Sequence, residues 1–492
     1  MAERCGPKLC SIAAHRGFAD ALVAGLTPRY HEPGFGLARL TLLVPSTRAR
    51  RTLAEAFIRQ FGAGGDGAAG GLLMPRMAVV GDLDLDEALG PLLDPLGAQD
   101  IPRAVDPMRR WLALARLLGE ELGDKAPRGA TLLRLARETA ATMDRLLAEE
   151  IAPDDLTGDR VLALVGDLAE HWQRSLAIFA RVQARWRSQL EEWDALDAAT
   201  RRNLLFRHAA RRWRAEPPAT PIVAAGVTSA APALAQLLRV VSELPQGAVV
   251  LPDLDLAMDD AVWDELGRAG AAPQPDSEPF ARGDAVSHPQ YHLKLLLGRI
   301  GVSRGEVQPW HRRGEAAAPP ARSHAISALF LPPQASRRWI ELPPEKRRLA
   351  GVRIMQSGTP EEEAQAIALL VREALETPHK RIAVVTPDRA LARRVAAHLL
   401  RWGIQADDTA GRPLSQTAAG RLLLLAAEVG AGGASPVALS ALLMHPLASA
   451  GMDRRAWLAQ LRVFELALRG PRPRAGLGPL GDRVAEHAGR NP

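Results

Sequence analysis

The stretch Lys380–Thr417, KRIAVVTPDRALARRVAAHLLRWGIQADDTAGRPLSQT, decides the reading of the fold. Arg381 to Val385 is a short β-branched run that reads as a buried strand, and it turns at Thr386-Pro387-Asp388, where Pro387 fixes φ and cannot donate to a ladder. A helix is expected next. Leu391, Val395, Ala396, Leu399 and Leu400 recur at helical spacing, while Arg389, Arg393, Arg394 and His398 lie off that stripe. Gly403 stops the helix, and Ile404 starts a second extended segment that closes in Asp407-Asp408-Thr409 and the turn Ala410-Gly411-Arg412-Pro413. Such a series is half of a parallel βαβ unit, and these units gather ligands at the carboxyl ends of their strands. Asp388, Arg389 and Arg412 fall there.

VVTPDRALARRVAAHLLRWGI followed by DDTAGRPLSQT resembles the opening of the second motor domain of UvrD-like superfamily 1 DNA helicases. Within that group the chain is most similar to the AddB family, subunits of the AddAB double-strand-break repair helicase-nuclease, in its alphaproteobacterial form. The resemblance implies that Arg389 matches an arginine facing the nucleotide held between two motor domains. It also implies DNA and an AddA-like helicase-nuclease subunit as partners.

At 492 residues the chain has room for about three domains, at roughly 150 residues each. Its apolar runs are far below the ~20 residues of a membrane helix, and MAERCGPKLCSIAAHRG lacks the apolar block of a signal peptide. A cytoplasmic protein without membrane contact is therefore expected. Cys5 and Cys10 make no disulfide framework, and with His15 they form a C-x4-C-x4-H series that suits burial better than zinc. The net charge is +6, and nearly every cation is arginine, whose planar fork bonds two phosphate oxygens at once. Coding bias in a GC-rich genome would give the same composition, so basicity permits nucleic-acid binding without requiring it.

From the amino terminus, Lys8 to Ala14 reads as a strand and Phe18 to Leu26 as a helix. A phosphate-binding NTPase would join them by G-x-x-x-x-G-K-[ST], whose lysine reaches the terminal phosphate and whose hydroxyl holds magnesium. The loop here is Ala13-Ala14-His15-Arg16-Gly17, and no G-K-[ST] occurs in the chain. His15, Arg16 and Gly17 are therefore expected to form a degenerate nucleotide loop. Leu37 to Val44 is a second strand, and Arg48 to Phe61 a second helix. VPSTRARRTLAEAFIRQF mirrors VVTPDRALARRVAAHLL in its strand, proline turn, arginine and amphipathic helix. Gly62 to Gly71 reads as a flexible loop, and Leu72 to Val80 as a further strand. Asp82, Asp84, Asp86 and Glu87 suit an exposed acidic loop better than a metal cluster.

Asp106 to Arg214 is helical almost throughout, with apolar residues at three and four spacing. Trp111, Trp172, Trp186, Trp193 and Trp213 could stack single-stranded bases, but each sits in its helix's apolar register and reads as a core anchor. LAEHWQRSL and the Asp197 to Trp213 segment resemble the helical insertion of the AddB first motor domain. Pro221 to Val227 and Ala248 to Leu251 are strands around a helix from Ala233 to Glu243. A working NTPase would end one of them in an Asp-Glu pair; the second ends Pro252-Asp253-Leu254-Asp255, without glutamate. Gly267 to Asp284 reads as an exposed loop. Ser287-His288-Pro289-Gln290-Tyr291 then leads into the helix HLKLLLGRIG, and His288 and Gln290 could meet phosphate or a base edge. The start of a helix explains them equally. Thr359 with Glu362 three residues on makes a capping-box pattern before the helix EEEAQAIALLVREAL.

The expectation is an α/β chain of two RecA-like, P-loop helicase-like parallel-sheet lobes with large helical insertions, the second lobe incomplete. Residues 1–105 and 215–300 form the first lobe and 106–214 its insertion. Residues 301–345 form a linker, 346–425 the start of the second lobe, and 426–492 a truncated helical insertion. AddB proteins continue into a nuclease with an iron-sulphur cluster and magnesium; this sequence ends at Pro492 with no cysteine after Cys10, so neither cofactor is expected in it. The resemblance implies DNA double-strand-break repair by an inactivated-helicase subunit that binds or scans single-stranded DNA. Arg389 and Arg412 would touch phosphate, with Arg393, Arg394 and Arg48 as further candidates. An active enzyme on a doubly wound fold, such as a nucleotide-sugar transferase, or a structural helical adaptor would fit the same lobes.

Overall fold

The structure, a computed structural model of the chain, describes residues 7–62, 73–80, 100–152, 155–156, 169–271, 277–278, 280–310, 325, 327–347, 349, 351–378, 380–471 and 473–490. The expected glycine loop beyond Gly62, the acidic residues Asp82 to Glu87, and Cys5 lie outside them. The chain divides into two compact units, Met1–Arg353 and Ile354–Pro492.

The first unit is built on six parallel strands: β1 (Leu9–Ile12), β2 (Thr41–Val44), β3 (Arg76–Val79), β4 (Ile222–Ala225), β5 (Gly247–Pro252) and β6 (Gln308–Pro309). Their order is β3-β2-β4-β5-β1-β6. Leu9 pairs with Val249, Thr41 with Arg76 on one side and Ile222 on the other, and Cys10 with Gln308. The central strands TLLV and IVAA are wholly buried, as expected of a parallel sheet covered on both faces. Alternation then sorts the side chains. Leu43, Ile222, Ala224, Val249 and Leu251 join one core, while Leu42, Val44, Val223, Ala225, Ala248 and Val250 join the other.

The second of these cores is closed by α1 (Phe18–Tyr30) and α2 (Thr47–Gly62), through Leu22, Leu26 and Phe57. The first core is closed by α6 (Ala198–Ala215), α7 (Pro232–Glu243) and α9 (Tyr291–Ile300), through Phe206, Trp213, Leu234, Leu238 and Leu297. Between β3 and α6 the helices α3 (Pro107–Leu122), α4 (Ala130–Ala148) and α5 (Ala169–Glu192) make their own core of Leu114, Leu118, Met143, Val182 and Trp186. Trp186 and Trp213 are buried as anchors, and Trp193 meets Trp186 edge-on at 5.8 Å between ring centroids; Trp172 is exposed. A short helix α8 (Asp260–Glu265) precedes α9. Among the described residues no helix is long and apolar enough to cross a membrane.

The segment expected to be a linker is more than that, because Gln308–Pro309 adds β6 beside β1. Trp310 anchors it: its ring lies against Gly25 on α1, its Nε1 donates to Ala21 O at 3.1 Å, and Arg29 stacks 4.3 Å from its centroid. A proline-containing two-residue strand carries no recognisable alternation, which is why pattern alone leaves it in a loop.

The second unit departs from expectation more sharply. Helices α10 (Pro360–Leu375) and α11 (Arg389–Arg401) pack through Ala364, Ala368, Val371, Leu391, Val395 and Leu399; Leu400, expected on the same stripe, is 63% exposed. Thr359 caps α10 by accepting from Glu362 N–H at 3.2 Å; the return bond to Glu362 comes from Gly358 N–H at 3.0 Å instead of from Thr359. However, Arg381–Val385 and the segment after Ile404 are not strands. Neither has ladder partners among the described residues, and Val385 is 94% exposed. The β-branched run marks a tendency to extend; a strand also requires a neighbour to bond, and this unit supplies none there. Helices α12 (Ala418–Ala431), α13 (Pro436–Met444), α14 (Arg454–Ala467) and α15 (Leu477–Arg490) complete it.

Candidate nucleic-acid interface

Ligands of open α/β sheets sit beyond the carboxyl ends of the strands, where neighbouring connections leave to opposite faces. Here β1 and β2 run into α1 and α2 on one face, while β4 and β5 run into α7 and the α8–α9 region on the other. The crevices β1/β5 and β2/β4 are therefore the two natural sites. Both are filled from within the chain.

At β1/β5 the loop that would cradle phosphate is a tight turn, with Arg16 N–H donating to Ala13 O at 3.0 Å. His15 and Arg16 are half-buried in it, and Gly17 ends it as the residue before α1, at φ −64°. Asp253 follows β5, donates its N–H to Ile12 O at 2.8 Å, and receives Ala14 N–H on its carboxylate. The carboxylate thus takes up one backbone amide of that turn. Burial raises the Asp253 carboxyl above the usual aspartate range, with the nearby Asp255 charge adding to it and the Ala14 bond opposing. Asp253 adopts the left-handed conformation at φ 52°, which its short polar side chain tolerates.

At β2/β4 the crevice holds an aromatic ring. Gly226, at φ 75°, lies so close that a Cβ there would sit 3.2 Å from Phe18 Cε1 and 3.7 Å from Pro45 Cδ. Phe18 was visible in the sequence only as the first residue of a helix.

His288 and Gln290, expected as possible phosphate or base contacts, bind the chain's own backbone instead. The Gln290 amide clasps the β5 exit: Nε2 donates to Asp253 O at 2.8 Å, and Oε1 accepts from Asp255 N–H at 2.9 Å. His288 Nδ1 accepts from Gln290 N–H at 3.1 Å, so Nε2 carries the proton and donates to Phe330 O. Burial lowers the His288 pKa, in keeping with this neutral tautomer. Both side chains are buried, which leaves no face for a ligand.

Arginines crowd the first turn of α2 at the same sheet edge. Ser46 caps the helix by accepting Ala49 N–H at 3.1 Å, and Arg48, Arg50 and Arg51 follow with no acid in that turn. Arg48 and Arg51 are exposed, and Arg51 Nε also pairs with Glu55 at 3.1 Å. Cations at a helix amino terminus oppose the macrodipole, so these arginines do not stabilise the helix end. Arg50 and Arg51 went unnamed among the expected residues, although TRARR immediately after a strand and proline turn was the signal.

In the second unit Asp388 caps α11 by accepting Ala390 N–H at 2.7 Å, and Arg389 opens the helix. Its guanidinium holds Asp408 by two bonds, Nη1 to Oδ1 at 3.0 Å and Nη2 to Oδ2 at 2.5 Å. The pair holds the Asp408 carboxyl below, and the Arg389 pKa above, their ordinary values. Arg393 is exposed on the outer side of α11, and Arg394 lies 4.0 Å from Glu361, which His398 also contacts at 2.8 Å. Arg412 is exposed just past the Asp408–Gly411 turn. Among the described residues no group of three or more His, Cys, Asp or Glu side chains could hold a metal. Compared with known proteins, the chain matches no family model and no curated protein.

Proposed function

We propose that the chain is a non-hydrolysing α/β subunit that grips nucleic acid, of the AddB type, acting in double-strand-break repair beside an AddA-like helicase-nuclease partner. In this reading the first unit corresponds to a RecA-like lobe with a retired nucleotide site, and the second to the start of another. Residence in the cytoplasm follows from the same reading.

One observation carries it. The turn after β1, where a nucleotide phosphate would lie, is met by the Asp253 carboxylate, while Arg48, Arg50 and Arg51 gather at the amino end of α2 on the same sheet edge. That combination favours a polymer of phosphates laid across the edge over a single nucleotide held within it. Arginine also suits the task through its two-oxygen geometry.

The test is fluorescence anisotropy with a labelled oligothymidylate across a salt series, together with an ATPase assay. Log affinity should fall with log salt by about 0.7 for each phosphate engaged. Binding that is absent at low salt, or ATP turnover by the purified chain alone, would overturn the proposal.

A further inference from the structure

The Arg389 guanidinium, expected from the sequence to touch phosphate, already holds two oxygens. Asp408 presents Oδ1 and Oδ2 to its fork in the bidentate geometry that arginine uses for carboxylate and phosphate alike. Asp408 has a second role in the same place. Its Oδ1 accepts Ala410 N–H at 3.0 Å, and its carbonyl accepts Gly411 N–H at 2.9 Å, so it is the hub of the turn that delivers Arg412.

Gly411 sits at φ 67°, a conformation that lets the chain reverse there and leave Arg412 immediately beyond. The ion pair is open to solvent, with side-chain exposures of 46% for Arg389 and 36% for Asp408. Exposed pairs of this kind hold weakly and are screened by salt, so an incoming anion can displace the resident one.

We propose that Asp408 is an internal competitor for the phosphate site of Arg389: a backbone phosphate of single-stranded nucleic acid exchanges with the carboxylate and releases the turn carrying Arg412. The inference rests on the nucleic-acid reading given above and adds to it a phosphate contact in the second unit together with the acid that regulates it. Asp388 plays no such part, because its carboxylate caps α11 through Ala390 N–H.

The experiment measures oligothymidylate affinity of the full chain by anisotropy for wild type, Asp408→Asn, Asp407→Asn, Arg389→Gln and the double variant Arg389→Gln/Asp408→Asn. Asp407→Asn removes the same charge one residue away and controls for general electrostatics. Asp408→Asn should bind about twofold to fivefold tighter than wild type, the range expected for removal of an exposed competing ion pair. Asp407→Asn should gain less, and the Asp408→Asn gain should vanish in the Arg389→Gln background. A gain equal to that of Asp407→Asn, or one that persists without Arg389, overturns this inference and leaves the nucleic-acid reading standing. Failure of wild type and every variant to bind overturns both.

Discussion

The Asp253 carboxylate accepts a hydrogen bond from the Ala14 backbone N–H, joining the exit of β5 to the turn after β1. The acid therefore stabilises a loop whose amides would otherwise face solvent or a ligand. Asp253→Ala removes the acceptor and leaves an unsupported side chain at φ 52°, so it should destabilise the fold by about 1–3 kcal/mol. Asp253→Asn keeps an oxygen and discards a charge that burial penalises. Because the native pKa is raised above the ordinary 3.8, the folded state holds this proton more tightly. Wild type should lose stability relative to Asp253→Asn as pH rises from that ordinary value through the raised one. Urea denaturation across the acidic range measures it, and a difference that is flat or of opposite sign would mean that burial does not outweigh the Ala14 bond.

Trp310 and Gly25 meet so closely that a Cβ on Gly25 would lie 2.4 Å from Trp310 Nε1. Gly25→Ala should therefore expel the indole, loosen β6 from β1, and cost about 1–3 kcal/mol as an overpacked core site does. Trp310→Leu relieves the clash at the price of its own contacts. Equilibrium denaturation of the two single variants and the pair should give a clearly non-additive cycle; additivity would mean that the two residues do not pack as described.

Much of this architecture is legible in the chain. TLLV, IVAA and the AVVL run of β5 announce themselves as buried parallel strands, and the three- and four-residue apolar spacing gives α3 to α7 with small errors at their ends. Of the stripe Leu391, Val395, Ala396, Leu399 and Leu400, Leu391, Val395 and Leu399 land in the core of their unit, while Leu400 faces solvent. What escapes is what depends on distant partners. Arg381–Val385 has a strand's composition without a strand's neighbour among the described residues, and β6 has a neighbour without the composition. For the site, the missing lysine and acid pair are plain to read. That Asp253 would turn back onto Ala14, or Asp408 onto Arg389, is fixed by folding across 239 and 19 residues respectively and leaves no local mark.

Gln290 bridges Asp253 O and Asp255 N–H, and this predicts a separation of stability from binding. Gln290→Ala strands two backbone groups and should destabilise the first unit by about 1–3 kcal/mol. Its oligonucleotide salt slope should equal that of wild type. Arg48→Gln should do the reverse, leaving the denaturation midpoint close to wild type and lowering the slope by about 0.7. Anisotropy against salt beside urea melts reads both. A slope change in Gln290→Ala would return that residue to the interface.

Arg110 is buried between two acids in the helical insertion. Nη1 donates to Asp144 Oδ1 at 2.7 Å, while Nε lies 3.0 Å from Asp197 Oδ1 without an aligned hydrogen bond. Asp197 in turn accepts Trp186 Nε1 at 3.0 Å, so the cluster ties α3 to the start of α6 through the core tryptophan. Burial raises the Asp197 carboxyl, and the Arg110 charge, followed by the Trp186 bond, holds that rise in check. Arg110→Met leaves the acid without its cation and should cost about 3–5 kcal/mol at neutral pH. Adding Asp197→Asn, which preserves an acceptor for Trp186, should recover part of that loss. Because the single variant's Asp197 pKa rises further, its deficit should shrink as the medium is made mildly acidic and the carboxyl takes up its proton. Chemical denaturation at neutral and mildly acidic pH measures the gap; a deficit independent of pH would assign the loss to packing of the arginine stem and not to its charge.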